Sequence, residues 1–123
     1  MLRDRHEFDP FFWTSVERLA IKMDPELAEI DHILEDDELF RLIRADLSRN
    51  RPQTLYTGRN STPVEVIIRM LAVRRLYSLS YEKTERYVSD SLVLRWFCRV
   101  YFNPVLDHSN LNKWALLLSL IHI

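Results

Sequence analysis

Two groups of residues in this 123-residue chain have types and spacings that could do chemistry. The first is a crowd of carboxylates, Asp31, Glu35, Asp36, Asp37 and Glu38. Such a cluster could hold a divalent cation or form an acid–base pair. However, carboxylates at a helix start are stabilised by the helix dipole alone. No histidine pair stands at ligand spacing beside them: His6, His32, His108 and His122 are scattered and read as structural or solvated. We therefore expect no catalytic residue, bound metal or cofactor here. The second group is basic and amide-bearing: Arg59, Lys83, Arg86, Arg95, Arg99, Asn110, Asn112 and Lys113. Arginine's planar fork can reach O6 and N7 of guanine together, and asparagine can pair bidentately with adenine. Asparagine is also a common residue at helix starts, so it points to base reading only in the right place.

Composition narrows the classes. Cys98 is the single cysteine, which excludes an internal disulfide and a multi-cysteine zinc site. Gly58 is the single glycine, so phosphate-cradling glycine loops are excluded and tight hairpins are disfavoured. The apolar fraction of 47% is enough for a core. No run of 18 apolar residues exists and the charged start lacks a signal-peptide core, which reads as a cytoplasmic chain with no membrane partner. Net charge is −1, but residues 1–40 carry 4 basic and 12 acidic side chains, against 13 and 6 over residues 41–123. An acidic front and a basic back suggest that one end meets a polyanion.

The elements that must position these residues are helices, in an all-α domain. Phe8, Phe11, Phe12 and Trp13 precede a short helical pattern at Val16, Leu19 and Ala20, and should pack on later helices. Asp24 with Pro25 opens a second helix carrying Leu27, Ile30, Ile33 and Leu34. Leu39, Leu42, Ile43 and Leu47 fall at helical spacing in a third. Residues 48–62 form a loop holding Arg49, Arg51 and Arg59. Thr62-Pro63-Val64-Glu65 reads as a capping box opening a central helix apolar on nearly every side, with Glu65 and Arg69 paired at i,i+4. Ser80 and Ser91 read as caps of two further helices, the second spanning LVLRWFCRVYF so that Arg95 and Arg99 project together. Asn103-Pro104 ends it, and Asp107 or Ser109 caps a last helix.

Two short helices around a capped break have helix-turn-helix proportions, in which the second helix lies in the major groove and the first crosses the backbone. Arg95 and Arg99 would then face bases, with Lys83 and Arg86 on phosphates. The last helix, with Asn110, Asn112 and Lys113, is a rival reader, and the arginine stripe could equally be a solvated face.

Several short motifs occur in a recognisable order: Thr57-Gly58-Arg59; Pro63 with Glu65-Val66; Leu76-Tyr77; Leu79-Ser80; Arg95-Trp96-Phe97-Cys98; Pro104-Val105; Asp107-His108-Ser109 with Leu111. Over roughly residues 55–115 the chain resembles the InsH-type N-terminal domain of bacterial insertion-sequence transposases. It departs from that pattern at Ser78 (glycine in the family), Leu106 (proline) and Asn110 (threonine). The resemblance implies a helical domain binding double-stranded DNA at the element's ends, ahead of a DDE catalytic domain whose acids hold divalent metal such as magnesium. None of that second domain is in this sequence, so the expectation is a DNA-binding fragment without catalysis and without a small-molecule substrate.

The expected organisation is an acidic helical leader over 1–50, the InsH-like domain over 51–117, and residues 118–123. The last string, LSLIHI, is what a transposon adapter used for sequencing libraries encodes, and it is expected to be a scar. Two alternatives stay open: a module that pairs transposase protomers into a homo-oligomer, and a short inhibitor of transposition.

Overall fold

The computed structural model describes residues 5–38, 41–43, 45 and 62–121. Six helices have both ends among the described residues: α1 (Pro10–Arg18), α2 (Pro25–Ile33), α3 (Val64–Leu76), α4 (Tyr81–Asp90), α5 (Leu92–Phe97) and α6 (His108–Ile121). Asp37, Glu38 and residues 41–43 are also helical, and no strand occurs among the described residues. Arg59 and the rest of the 48–61 loop lie outside the described residues, as does His122.

Helix starts follow local chemistry. Asp9 accepts from the backbone N–H of Phe11 and Phe12, Asp24 from Leu27 at 2.8 Å, Ser80 from Lys83 at 3.1 Å, and Ser91 from Leu94 at 3.2 Å. Asp107, not Ser109, caps α6, accepting from the Asn110 N–H at 2.8 Å. Each such oxygen satisfies a donor that the first helical turn leaves unpaired. The expected capping box before α3 does not form. Pro63 is the N-cap and makes no side-chain cap bond, while Glu65 turns inward and is buried.

The ends of α1, α3 and α5 share one device. Ala20, Ser78 and Arg99 all have positive φ (52°, 54° and 59°). Around each, the residue's own N–H bonds back three positions, to Glu17, Arg75 and Trp96. The following N–H bonds back five, from Ile21 to Val16, Leu79 to Arg74, and Val100 to Arg95. This is the Schellman closure, whose left-handed position ordinarily takes glycine. With its one glycine spent elsewhere, the chain places alanine, serine and arginine there.

This closure shortens α5. The helix stops at Phe97 with Cys98 as cap, so Arg95 and Arg99 are not one helical turn apart on a common face, and the break comes well before Pro104.

The core gathers around α3, where Val66, Ile67, Met70 and Val73 are buried against Val88, Phe97, Val100 and Leu111. Fully burying one such side chain contributes about 1.5–3 kcal/mol. Leu27 of α2 lies in the same cluster. A second cluster seats Phe12 and Val16 of α1 on Tyr101, with Leu92 and Trp96 packed beside them. The aromatic segment thus docks on later helices through Phe12 and Trp13, which meets Trp96 at 5.6 Å between ring centroids, whereas Phe8 and Phe11 remain exposed.

Candidate nucleic-acid interface

The arginines divide into those spent on the fold and those turned outward. Arg69 is fully buried on α3. Its Nη1 donates to Asp31 Oδ1 at 2.5 Å and to the Phe97 carbonyl at 3.0 Å, and its guanidinium lies over the Phe97 ring at 5.3 Å. Its Nε stands 3.4 Å from Glu65 Oε2 without completing a hydrogen bond. Asp31 also takes Arg99 Nη2 at 3.0 Å, and Arg99 reaches Glu35 at 3.7 Å. On the other side, Arg5 bridges Asp37 at 2.6 Å and Glu65 at 3.6 Å. Asp31 and Glu35 therefore neutralise arginines of the chain's own back half.

Burial pushes the Glu65 carboxyl above its ordinary range, against the lowering effect of Arg69, Arg5 and Arg99. Glu65, Arg5 and Arg99 open onto a cavity of about 370 Å³ that Glu35, Asp37 and Tyr101 also line. Asp31 and Glu65 face guanidiniums. Among the described residues, no group of three or more metal-ligating side chains comes together.

Arg95 is likewise turned inward. Its Nε donates to the Ser89 carbonyl at 2.9 Å, and its Nη1 to the carbonyls of Tyr101 and Asn103 at 2.9 and 3.0 Å. Arg99 Nη1 donates to Trp96 O at 2.8 Å. Both side chains thus fasten the α5 end and the turn behind it. Arg74 stacks over Tyr81 at 4.1 Å.

Lys83 and Arg86 are exposed, one turn apart on α4, and Asn110, Asn112 and Lys113 are exposed on the first half of α6. Lys83, Arg86 and Lys113 make no ion pair among the described residues. Glu85 ties the two helices together. Its Oε1 accepts from the His108 N–H at 2.7 Å and from the His108 ring Nδ1 at 2.9 Å, which raises the imidazole pKa. The sequence offered no sign of this contact, since it joins residues 23 apart.

Lys83 and Arg86 stand exposed on α4 and Asn110 and Lys113 on α6, two helices that pack together, whereas Arg95 and Arg99 are held by backbone carbonyls and carboxylates. No helix among the described residues is long and apolar enough to cross a membrane. No curated protein and no solved structure gave a significant match. A family model described as "Transposase domain (DUF772)" matches residues 16–115, agreeing with the motifs that resemble insertion-sequence transposase N-terminal domains. With most of its length inside that match, the chain belongs to the DUF772 transposase-domain family.

Proposed function

We propose that this chain is the DNA-binding part of an insertion-sequence transposase and recognises the element's terminal inverted repeats, without carrying the catalytic step itself. The observation that carries this reading is the separation of the basic residues in a transposase-family domain. Arg69, Arg95 and Arg99 are consumed by the fold, while Lys83, Arg86 and Lys113 face outward. Lys83 and Arg86 hold phosphates, Asn110 and Lys113 lie near base edges, and Arg59 adds a phosphate contact proposed from sequence. Arg95 and Arg99 position the surface by fixing the turn behind α5. Divalent metal belongs, on this reading, to a catalytic domain of the parent enzyme.

The test is a titration of duplex DNA carrying the element's ends at two or more salt concentrations. Neutralising three phosphates gives a slope of about −2.7 in log affinity against log salt. Salt-independent binding, or none, overturns the assignment.

A second reading, pairing of protomers, draws on the exposed aromatics Phe8 and Phe11, 61% and 76% accessible. It is checked by the mass of the DNA-free chain in solution. A stable dimer that is lost in Phe11→Ser, together with absent DNA binding, would favour this reading, and a monomeric chain would overturn it.

A further inference from the structure

We propose that α6, and not α5, is the helix that enters the major groove, with α4 lying across the phosphates; this rests on the DNA-binding reading above. A groove helix must offer side chains to base edges. In α5, every residue is buried or half-buried: Leu94 and Phe97 face the core, Val93 packs on it, and Leu92 and Trp96 are covered by the α1 cluster. Its one cation, Arg95, commits Nε and Nη1 to three backbone carbonyls. No side chain of α5 stands exposed toward a base.

The other helices fail for different reasons. α3 is the buried centre of the core. α2 exposes Glu26 and Glu29 and carries no lysine or arginine to set against them. α1 exposes Phe11 and carries Glu17.

α6 alone combines length with a suitable face. Of its 14 residues, 108–117 precede the string expected to be a scar and span about 15 Å, enough to lie along a groove. Leu111 is buried beneath it, and at 100° per residue Ser109, Asn112, Lys113 and Leu116 fall on the opposite, exposed side. Asn110 stands at the margin, its Nδ2 donating to Asp107 at 3.1 Å, which leaves its Oδ1 and second N–H for a ligand. The helix's own first-turn donors are not the device: Glu85 accepts the His108 N–H and Asp107 the Asn110 N–H. Recognition falls to the side chains. The Glu85–His108 contact fixes α6 against α4, so that Lys83 and Arg86 sit on the helix next to the reader.

The experiment selects sequences from a pool of random 20-base-pair duplexes with the full 123-residue chain, then measures affinity for the selected duplex and for a random one. Asn112→Ala and Lys113→Ala should cut the ratio of the two affinities by about 5- to 150-fold, the range for losing a base-edge contact. Lys83→Ala and Arg86→Ala should weaken both duplexes alike and flatten the salt slope by about 0.9 each. All four positions are exposed, and circular dichroism confirms folding of each variant. If the α6 variants leave the ratio unchanged while salt-dependent binding persists, α6 is not the reader, and the DNA-binding reading stands without it. If no duplex is bound at any salt concentration, both fall together.

Discussion

Arg69 and Asp31 meet across 38 positions of chain, Nη1 to Oδ1 at 2.5 Å, with the arginine side chain fully buried and the aspartate 15% exposed. A guanidinium so placed cannot be left unpaired without a large desolvation cost. Asp31→Ala removes its main partner and one of Arg99's, and should lower stability by roughly 3–5 kcal/mol. Against a total of about 5–15 kcal/mol for a domain, that loss would be conspicuous in urea denaturation. A change below about 1 kcal/mol would mean that Glu65 and the Phe97 carbonyl hold the buried guanidinium without Asp31.

Glu65 supplies a pH signature. Its folded pKa lies above the ordinary carboxylate value of 4.5 because burial disfavours the charged form. The folded state therefore holds this proton more tightly than the unfolded chain does. Stability from this group is greatest at low pH, declines as pH rises past the unfolded value, and levels off above the folded pKa. Glu65→Gln removes the decline, so its stability relative to the parent should rise with pH across that window. Denaturation at several pH values measures this, and a relative stability that falls with pH contradicts it.

Ser78 occupies the left-handed position of a Schellman closure, with φ 54°, and is exposed. Glycine adopts this conformation without steric cost. Ser78→Gly should stabilise the protein by about 0.5–1 kcal/mol, after the greater freedom glycine gives the unfolded chain is set against the relief. Thermal unfolding reads this directly, and a lowered midpoint would show that the serine is favoured by something other than backbone shape.

Arg95 separates fold from recognition. Losing its bonds to three carbonyls should cost about 1.5–3 kcal/mol in Arg95→Ala. At temperatures where the variant remains folded, its preference for selected over random duplex should match the parent's. A collapsed preference at unchanged stability would make Arg95 a base reader.

The parts legible in the sequence are those governed by neighbours along the chain. Asp24, Ser80 and Ser91 cap where their types predict, because a cap needs only an oxygen and an N–H three residues on. The buried centre over α3 follows equally from its all-round apolar pattern. What periodicity could not supply is where α5 stops. Its end depends on carbonyls captured by Arg95 and by Arg69, the latter 28 positions away from Phe97. The same applies to Asp31, whose position suggested helix-dipole stabilisation but whose partners Arg69 and Arg99 lie far along the chain. The family's glycine at position 78 was a local clue, since it marks the backbone shape that Ser78 adopts. Of the candidate contacts, Lys83, Arg86, Asn110 and Lys113 are exposed as amphipathic spacing suggests, while Arg95 and Arg99 are drawn inward by contacts no helical wheel contains.

The long reach of the Arg69 pairings bears on how the polypeptide matures during translation. Asp31 leaves the ribosome before Arg69, and both precede the turn at Cys98–Tyr101 that supplies Arg99 and the seat for Phe12. Until that turn emerges, α1 lacks the Tyr101 surface it docks on, and Asp31 of α2 has Arg69 but not Arg99 as counter-charge. The nascent front must wait, and the domain closes late around its central arginine in a step dominated by sequence-distant contacts.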